Sequence, residues 1–259
     1  MIRRVLQGFL LGILCFCAAV LAGLLVVRPV IAAAQARALK TEYLVISPGA
    51  NGSGALPAGE ATDTLVNLWA LQQEYPDIQG WLTIPGTAVD YPVLQSSNQE
   101  PEKYLRRNYD GEWRMAGSLF FQYDCTPKSR NMVIYGHNMT DGTMFAVLGH
   151  YKDPVFLKEH SEMVLQTADG VHHYTVVAAM TTDTAQLRFN RAQFADDTDF
   201  VSFAGSMLAE TDITPQPEDR LLTLVTCAYD WAEARTVIVA VEQSQTNNRQ
   251  SVQPLCLDE

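Results

Sequence analysis

Basic residues are scarce in this chain. Lys and Arg number 18 against 29 Asp and Glu, a net charge of −11 with neutral histidines. A nucleic-acid binder needs a basic surface to meet phosphates, so the balance argues against that class and no nucleic-acid partner is expected. Cysteine is sparse too: five thiols scattered over 259 residues are too few for a disulfide scaffold. His-Glu-x-x-His, Cys-x-x-Cys and Gly-x-x-x-x-Gly-Lys are all missing. Zinc-protease, zinc-ribbon and P-loop chemistry therefore have no support, and neither metal nor cofactor is expected. Long low-complexity runs and a Gly-X-Y period are absent, which removes collagen-like and mucin-like classes. What is present, 47% hydrophobic and 18% charged, is the composition of a chain with a packed core. The length suits one domain with an appendage.

The first 40 residues lack acids altogether. Arg3, Arg4, Arg28, Arg37 and Lys40 give them +5, whereas residues 41–259 hold the other 13 bases and all 29 acids, a net of −16. An acidic body favours solubility and cationic partners. Val5 to Val27 is a run of 23 residues without a charge. A bilayer core takes about 20 apolar residues in helical form, and the apolar core of a signal peptide only about 7–15. Residues 1–40 therefore read as a short cytoplasmic tail and a single transmembrane helix. Ala32-Ala33-Ala34 and Ala34-Gln35-Ala36 resemble cleavage sites and keep removal of the segment open. Bases flank the run on both sides, so they barely orient it. A long acidic domain crosses largely regardless of charge, which places the body outside the cell on a single-pass anchor. Residues 41–62, rich in Gly, Ala, Pro and Ser, read as a spacer. Residues 244–259 read as a polar tail.

Residues 63–243 read as a mostly β domain. Thr64–Tyr75 has helical apolar spacing, a possible cap at Thr62 or Asp63, and a stop at Pro76. Strands are expected at Trp81–Ile84, Val89–Val93, Ser118–Tyr123 and Asn131–Tyr135, followed by a short helix at Thr143–Leu148. Met163–Thr167 and His172–Met180 flank an Asp-Gly turn, a hairpin signal. Asp199–Glu210 reads as a second helix with carboxylates at its start. Leu221–Thr226 and Thr236–Val241 are β-branched strands. Many short strands at this spacing predict a closed or nearly closed β-barrel.

Three residues carry candidate chemistry, each at a strand end. Cys227 closes the run Leu221–Thr226 and opens a polar turn, a rigid yet accessible place for a nucleophile; position alone is equally compatible with a buried core cysteine. His137 follows the strand Asn131–Tyr135 in a loop where Gly136 gives the backbone freedom, or is a solvated loop histidine. Arg235 stands eight residues after Cys227, at the same sheet end if the two strands pair. There it offers an oxyanion donor of fixed charge, or simply balances Asp230 and Glu233. His150, His160, His172 and His173 read as structural or solvated. A thiol with an imidazole is the standard source of an activated thiolate. The order His before Cys, 90 residues apart, lacks the local contexts of papain-like and caspase-like enzymes.

These motifs are recognisable. Gly80-Trp-Leu-Thr-Ile-Pro-Gly86, Val89-Asp-Tyr-Pro-Val93, Ala116-Gly-Ser-Leu-Phe120, Tyr135-Gly-His-Asn-Met139 and Thr223-Leu-Val-Thr-Cys-Ala-Tyr229 with Arg235 resemble the class B sortases of Gram-positive bacteria, from about Thr64 to Val241. The helix before the first barrel strand and the one before the Cys strand resemble class B additions. The resemblance implies a sortase β-barrel and a membrane-anchored cysteine transpeptidase. Such an enzyme cleaves a sorting motif after Thr in exported proteins and joins the acyl group to a cell-wall or pilin amine through a thioester. It also implies that Cys227 attacks, His137 handles protons, Arg235 holds substrate and the oxyanion, and Thr226 lines the groove. Asn138 occupies a position where the family often carries other residues, and Cys125 and Cys256 are spare thiols unusual in such proteins. A cysteine protease without transpeptidation, and a non-catalytic surface-anchored barrel, are the alternatives.

Overall fold

The computed structural model describes residues 2–23, 28–45 and 65–243. Helix α1 (Ile2–Ala22) covers most of the uncharged run. Among the described residues no helix is long and apolar enough to cross a membrane, so the transmembrane helix expected over Val5–Val27 gains no support from the fold. Residues 24–27 lie outside the described residues. Helix α2 (Arg28–Glu42) was not expected, although its sequence carries five alanines among other good helix formers, with Pro29 in the first turn where no N–H is missed. Ala36 and Leu39 of α2 are buried on the body. One turn on, Lys40 Nζ grips both oxygens of Asp90 at 2.8 and 2.9 Å. The same carboxylate accepts from Trp81 Nε1 and Thr83 Oγ1.

The stretch read as a spacer, 41–62, is structured where it begins. Thr41 and Glu42 close α2, and β1 (Leu44–Val45) pairs antiparallel with β2 (Leu65–Val66). Residues 46–64 lie outside the described residues, as does the tail 244–259 with Cys256. The helix expected at Thr64–Tyr75 starts later, as α3 (Leu68–Glu74). Pairing with β1 extends Leu65–Val66, and the Gln166 side chain bonds both the N–H and the C=O of Val66. The cap is Asn67, whose Oδ1 accepts the Ala70 N–H at 3.0 Å, rather than Thr62 or Asp63.

Eight strands then close a barrel: β3 (Ile78–Thr83), β4 (Asp90–Gln95), β5 (Leu119–Phe121), β6 (Asn131–Tyr135), β7 (Glu162–Thr167), β8 (Gly170–Thr182), β9 (Leu221–Cys227) and β10 (Arg235–Glu242). Their order around the barrel is β10-β8-β7-β3-β4-β5-β6-β9. Closure removes the exposed edges that short β-branched strands would otherwise present. β4–β5 and β6–β9 are parallel and the other described pairs antiparallel. The helix expected at Thr143–Leu148 is a 3₁₀ segment, Ala146–Lys152, leading into α4 (Pro154–Glu159). α5 (Asp197–Met207) is capped by Asp196, whose Oδ1 accepts the Asp199 N–H, and buries Phe200, Phe203, Ala204 and Met207. One apolar core fills the barrel; a second, around Leu71, Ile78, Trp81 and Tyr104, lies under α3.

Candidate active site

The strand pairing brings the three candidate residues to one end of the barrel. β9 and β10 form a hairpin in which Arg235 is the direct partner of Cys227, and Thr236 of Thr226. β6 runs parallel to β9 and ends with Tyr135 opposite Val225, so His137 emerges beside the end of the cysteine strand. All three, with Thr226, line one groove of about 600 Å³. Its walls come from the β4–β5 connection (Pro101, Glu102, Leu105), from Tyr123 and Asp124 after β5, and from Asn190 and Arg191 between β8 and α5.

Gly136 was expected to supply conformational freedom. Its φ is not among the positive ones. The need is space, because a Cβ there would be driven into the side chains of Leu119 and Phe145. His137 Nε2 lies 2.8 Å from the carbonyl of Leu105. A carbonyl only accepts, so Nε2 carries the proton and Nδ1 is the nitrogen that gains or loses one. Among the described residues no carboxylate pairs with this imidazole, whose hydrogen-bond partner is a backbone carbonyl. Burial holds the imidazole below the usual histidine range, opposed in part by the Leu105 bond and assisted by the nearby Arg106 charge. At neutral pH the ring therefore rests neutral, able to accept a proton.

Cys227 is half-buried, whereas Cys125 is 1% exposed. The Cys125 thiol donates to Asn131 O and accepts the Val133 N–H, and burial pushes its pKa up to about 12. Cys125 is thus a core residue, inert as a nucleophile. Arg235 lines the groove, and its Nη2 also meets Glu233 Oε2 at 3.2 Å while Nη1 donates to Ala234 O. That ion pair is weak, because the Glu233 side chain is 84% exposed. Glu233 sits at φ +64, left-handed backbone that a non-glycine residue adopts only under constraint. Asp230 faces Lys152 instead, at 3.8 Å. Thr226 is 2% exposed and its hydroxyl donates to Gly136 O at 2.8 Å, so it braces the His137 loop as well as lining the groove.

Sequence reasoning missed Leu105 and Asn138. Leu105 acts through a backbone carbonyl, for which no residue type is a signal. Asn138 Nδ2 donates to the Cys227 carbonyl at 3.0 Å, a contact that only the register of β6 against β9 creates. His150 and His160 flank Phe156 in a ring cluster, and His172 and His173 bond Glu242 and Glu162; none of the four lines the groove. No group of three or more metal-ligating side chains occurs among the described residues.

Comparison with known proteins adds four findings. The family profile described as Sortase domain matches residues 82–243. Sortase B of Listeria monocytogenes is 35% identical over 189 residues, covering 70% of this chain and 74% of that protein. Among solved structures, the Staphylococcus aureus sortase B–substrate complex matches at TM-score 0.61 and 30% identity, over 69% of this chain and 85% of that one. Sortase B of B. anthracis in complex with AAEK1 matches at TM-score 0.63 and 30% identity, over 81% and 93%.

Proposed function

The chain belongs to the sortase family and is a cysteine transpeptidase of the sortase B type, and from that premise we propose that Cys227, His137 and Arg235 carry the reaction on a sorting motif of an exported protein. The supporting observation is their convergence on one groove, with Arg235 in direct register with the nucleophile. Neutral His137 takes the Cys227 thiol proton at Nδ1, and the thiolate so formed attacks the carbonyl carbon of the motif's Thr. A C–S bond forms and the carbonyl oxygen becomes an oxyanion, to which the Arg235 guanidinium donates. Collapse breaks the C–N bond, and protonated His137 gives its Nδ1 proton to the leaving amine. The thioester waits for an amine of a cell-wall precursor or pilin. Neutral His137 takes a proton from that amine as the new C–N bond forms, and the thiolate leaves. Thr226 lines the substrate groove.

The same reading places the enzyme on the outer face of the cell membrane, held by the uncharged run Val5–Val27. Its support is the sequence: 23 residues without charge ahead of a body of net charge −16. Protease added to intact protoplasts is then expected to shave off the body; full protection of the body would overturn the placement.

The chemistry is tested by mass spectrometry of products from a library of Thr-containing pentapeptides, with and without an amine acceptor. Amide-linked products support transpeptidation. Hydrolysis alone in the presence of amine would make the chain a protease, and no cleavage at all would remove the catalytic reading.

A further inference from the structure

Parallel pairing of β6 with β9 ends at Tyr135 and Val225, but the two chains stay joined past that point. The Gly136 N–H donates to Val225 O at 3.1 Å, Thr226 Oγ1 donates to Gly136 O, and Asn138 Nδ2 donates to Cys227 O at 3.0 Å. The last bond differs in kind: the residue next to His137 holds the carbonyl of the nucleophile itself. On its other side the same peptide group is also held, because the Ala228 N–H donates to Ala234 O at 3.0 Å. The peptide after Cys227 is thus clamped at both its oxygen and its nitrogen.

Asn138 can act as a clamp because its own base is fixed. Its backbone bridges Met144 across a tight loop, and the Phe145 N–H donates to the His137 carbonyl at 2.9 Å. Met144 takes φ +55 to close that loop and is buried at 2% exposure. Without such a bond the residue at a strand end has two soft dihedrals and frays.

We propose that Asn138 is a positioning residue: its carboxamide fixes the Cys227 peptide to the His137 loop and so sets the thiol relative to the imidazole. This rests on the roles proposed above for Cys227 and His137. Displacement of a reacting group by about 1 Å costs on the order of 10²-fold in rate, so loss of the clamp is expected to slow acylation by about 10- to 100-fold while leaving substrate affinity alone.

The test compares the parent enzyme with Asn138→Ala, Asn138→Asp and a Cys227→Ala control, measuring kcat, KM, melting temperature and the pH dependence of Cys227 alkylation. Asp has the shape of Asn but, ionised, has no proton to donate and repels the carbonyl. Both Asn138 variants should lose kcat and change the pH dependence of Cys227 alkylation, with KM, melting temperature and the labelling of Cys125 near the parent's. An Ala variant within about twofold of parent kcat, or an Asp variant of parent activity, would overturn the donor role. So would a fall in kcat matched by a fall in melting temperature and a general rise in alkylation of both Cys227 and Cys125, which would mean mere loosening. An active Cys227→Ala control would instead sink the catalytic assignment on which the inference stands.

Discussion

The strip β8–β10–β9 carries an ionic cluster at one end and the thiol at the other. The paired stretch runs from Arg235 opposite Cys227 to Val241 opposite Leu221, about 20 Å at ~3.4 Å per residue. At the far end Glu242 accepts from His172 Nδ1 at 2.6 Å and meets Arg220 at 3.3 Å, with its side chain 20% exposed. Cation and carboxylate there neutralise each other and cap the barrel. At the near end, imidazole and guanidinium have no buried counter-charge among the described residues: His137 leans on a backbone carbonyl, and Arg235 on an exposed glutamate. The same strands deliver both arrangements, so the difference lies in which groups the fold leaves unspent. A guanidinium not neutralised within the fold is one that a substrate oxyanion can recruit.

The sharpest way to break the contrast is at the nucleophile. Cys227→Ala is expected to abolish turnover with the fold intact. Cys125→Ala, in the core, should keep turnover and lose on the order of 1 kcal/mol, a fall in melting temperature of roughly 2–4 °C. Turnover and melting curves on the two variants check both halves, and residual turnover of Cys227→Ala would refute the mechanism. Next comes Arg235→Lys. The charge survives but the planar fork does not, and losing an oxyanion donor costs about 10²–10³ in rate. Single-turnover thioester formation should show that loss with little change in melting; a near-parent rate would take Arg235 out of the site.

At the far end Glu242→Gln should do the reverse. The Arg220 ion pair and the carboxylate acceptor of His172 go, melting drops by roughly 2–4 °C on about 1 kcal/mol, and the acylation rate stays at the parent value. A slowed acylation there would mean the two ends are coupled. The smallest effect concerns pH. Burial lowers the pKa of folded His137 below the unfolded value of about 6.5, so the unfolded chain binds the extra proton. The stability linked to His137 is full above about pH 6.5 and is lost as pH falls through the lower folded value. NMR should find this imidazole titrating below the ordinary range. His137→Gln should flatten the acid-side decline in melting temperature; an unchanged decline would contradict it.

The strands at the site were legible because their signal is local. Asn131–Tyr135 was expected and observed with the same ends, and the two last strands each gained their terminal chemical residue, Cys227 and Arg235. A β-branched run flanked by a polar turn announces itself, and a residue at its end inherits its place. Contacts between segments were not legible. α2 was masked by the apolar run before it, and its partner Asp90 stands 50 residues away. Leu105 reaches His137 through an atom common to all residues. Asn138 looked uninformative because its partner depends on register, and Gly136 was read for torsional freedom where the fold uses its lack of a side chain.

The β1–β2 pair has a mechanical meaning. Residues 45 and 65 are direct partners, so the chain between them begins and ends at the same place. Nineteen residues fully stretched would span about 65 Å, yet none of that length separates α2 from the body while the pair holds. A pull applied at α1 enters the body through α2, where the buried Ala36 and Leu39 and the Lys40–Asp90 grip resist it. The load therefore falls on the helix and on β4, not on the two strands that carry Cys227 and Arg235.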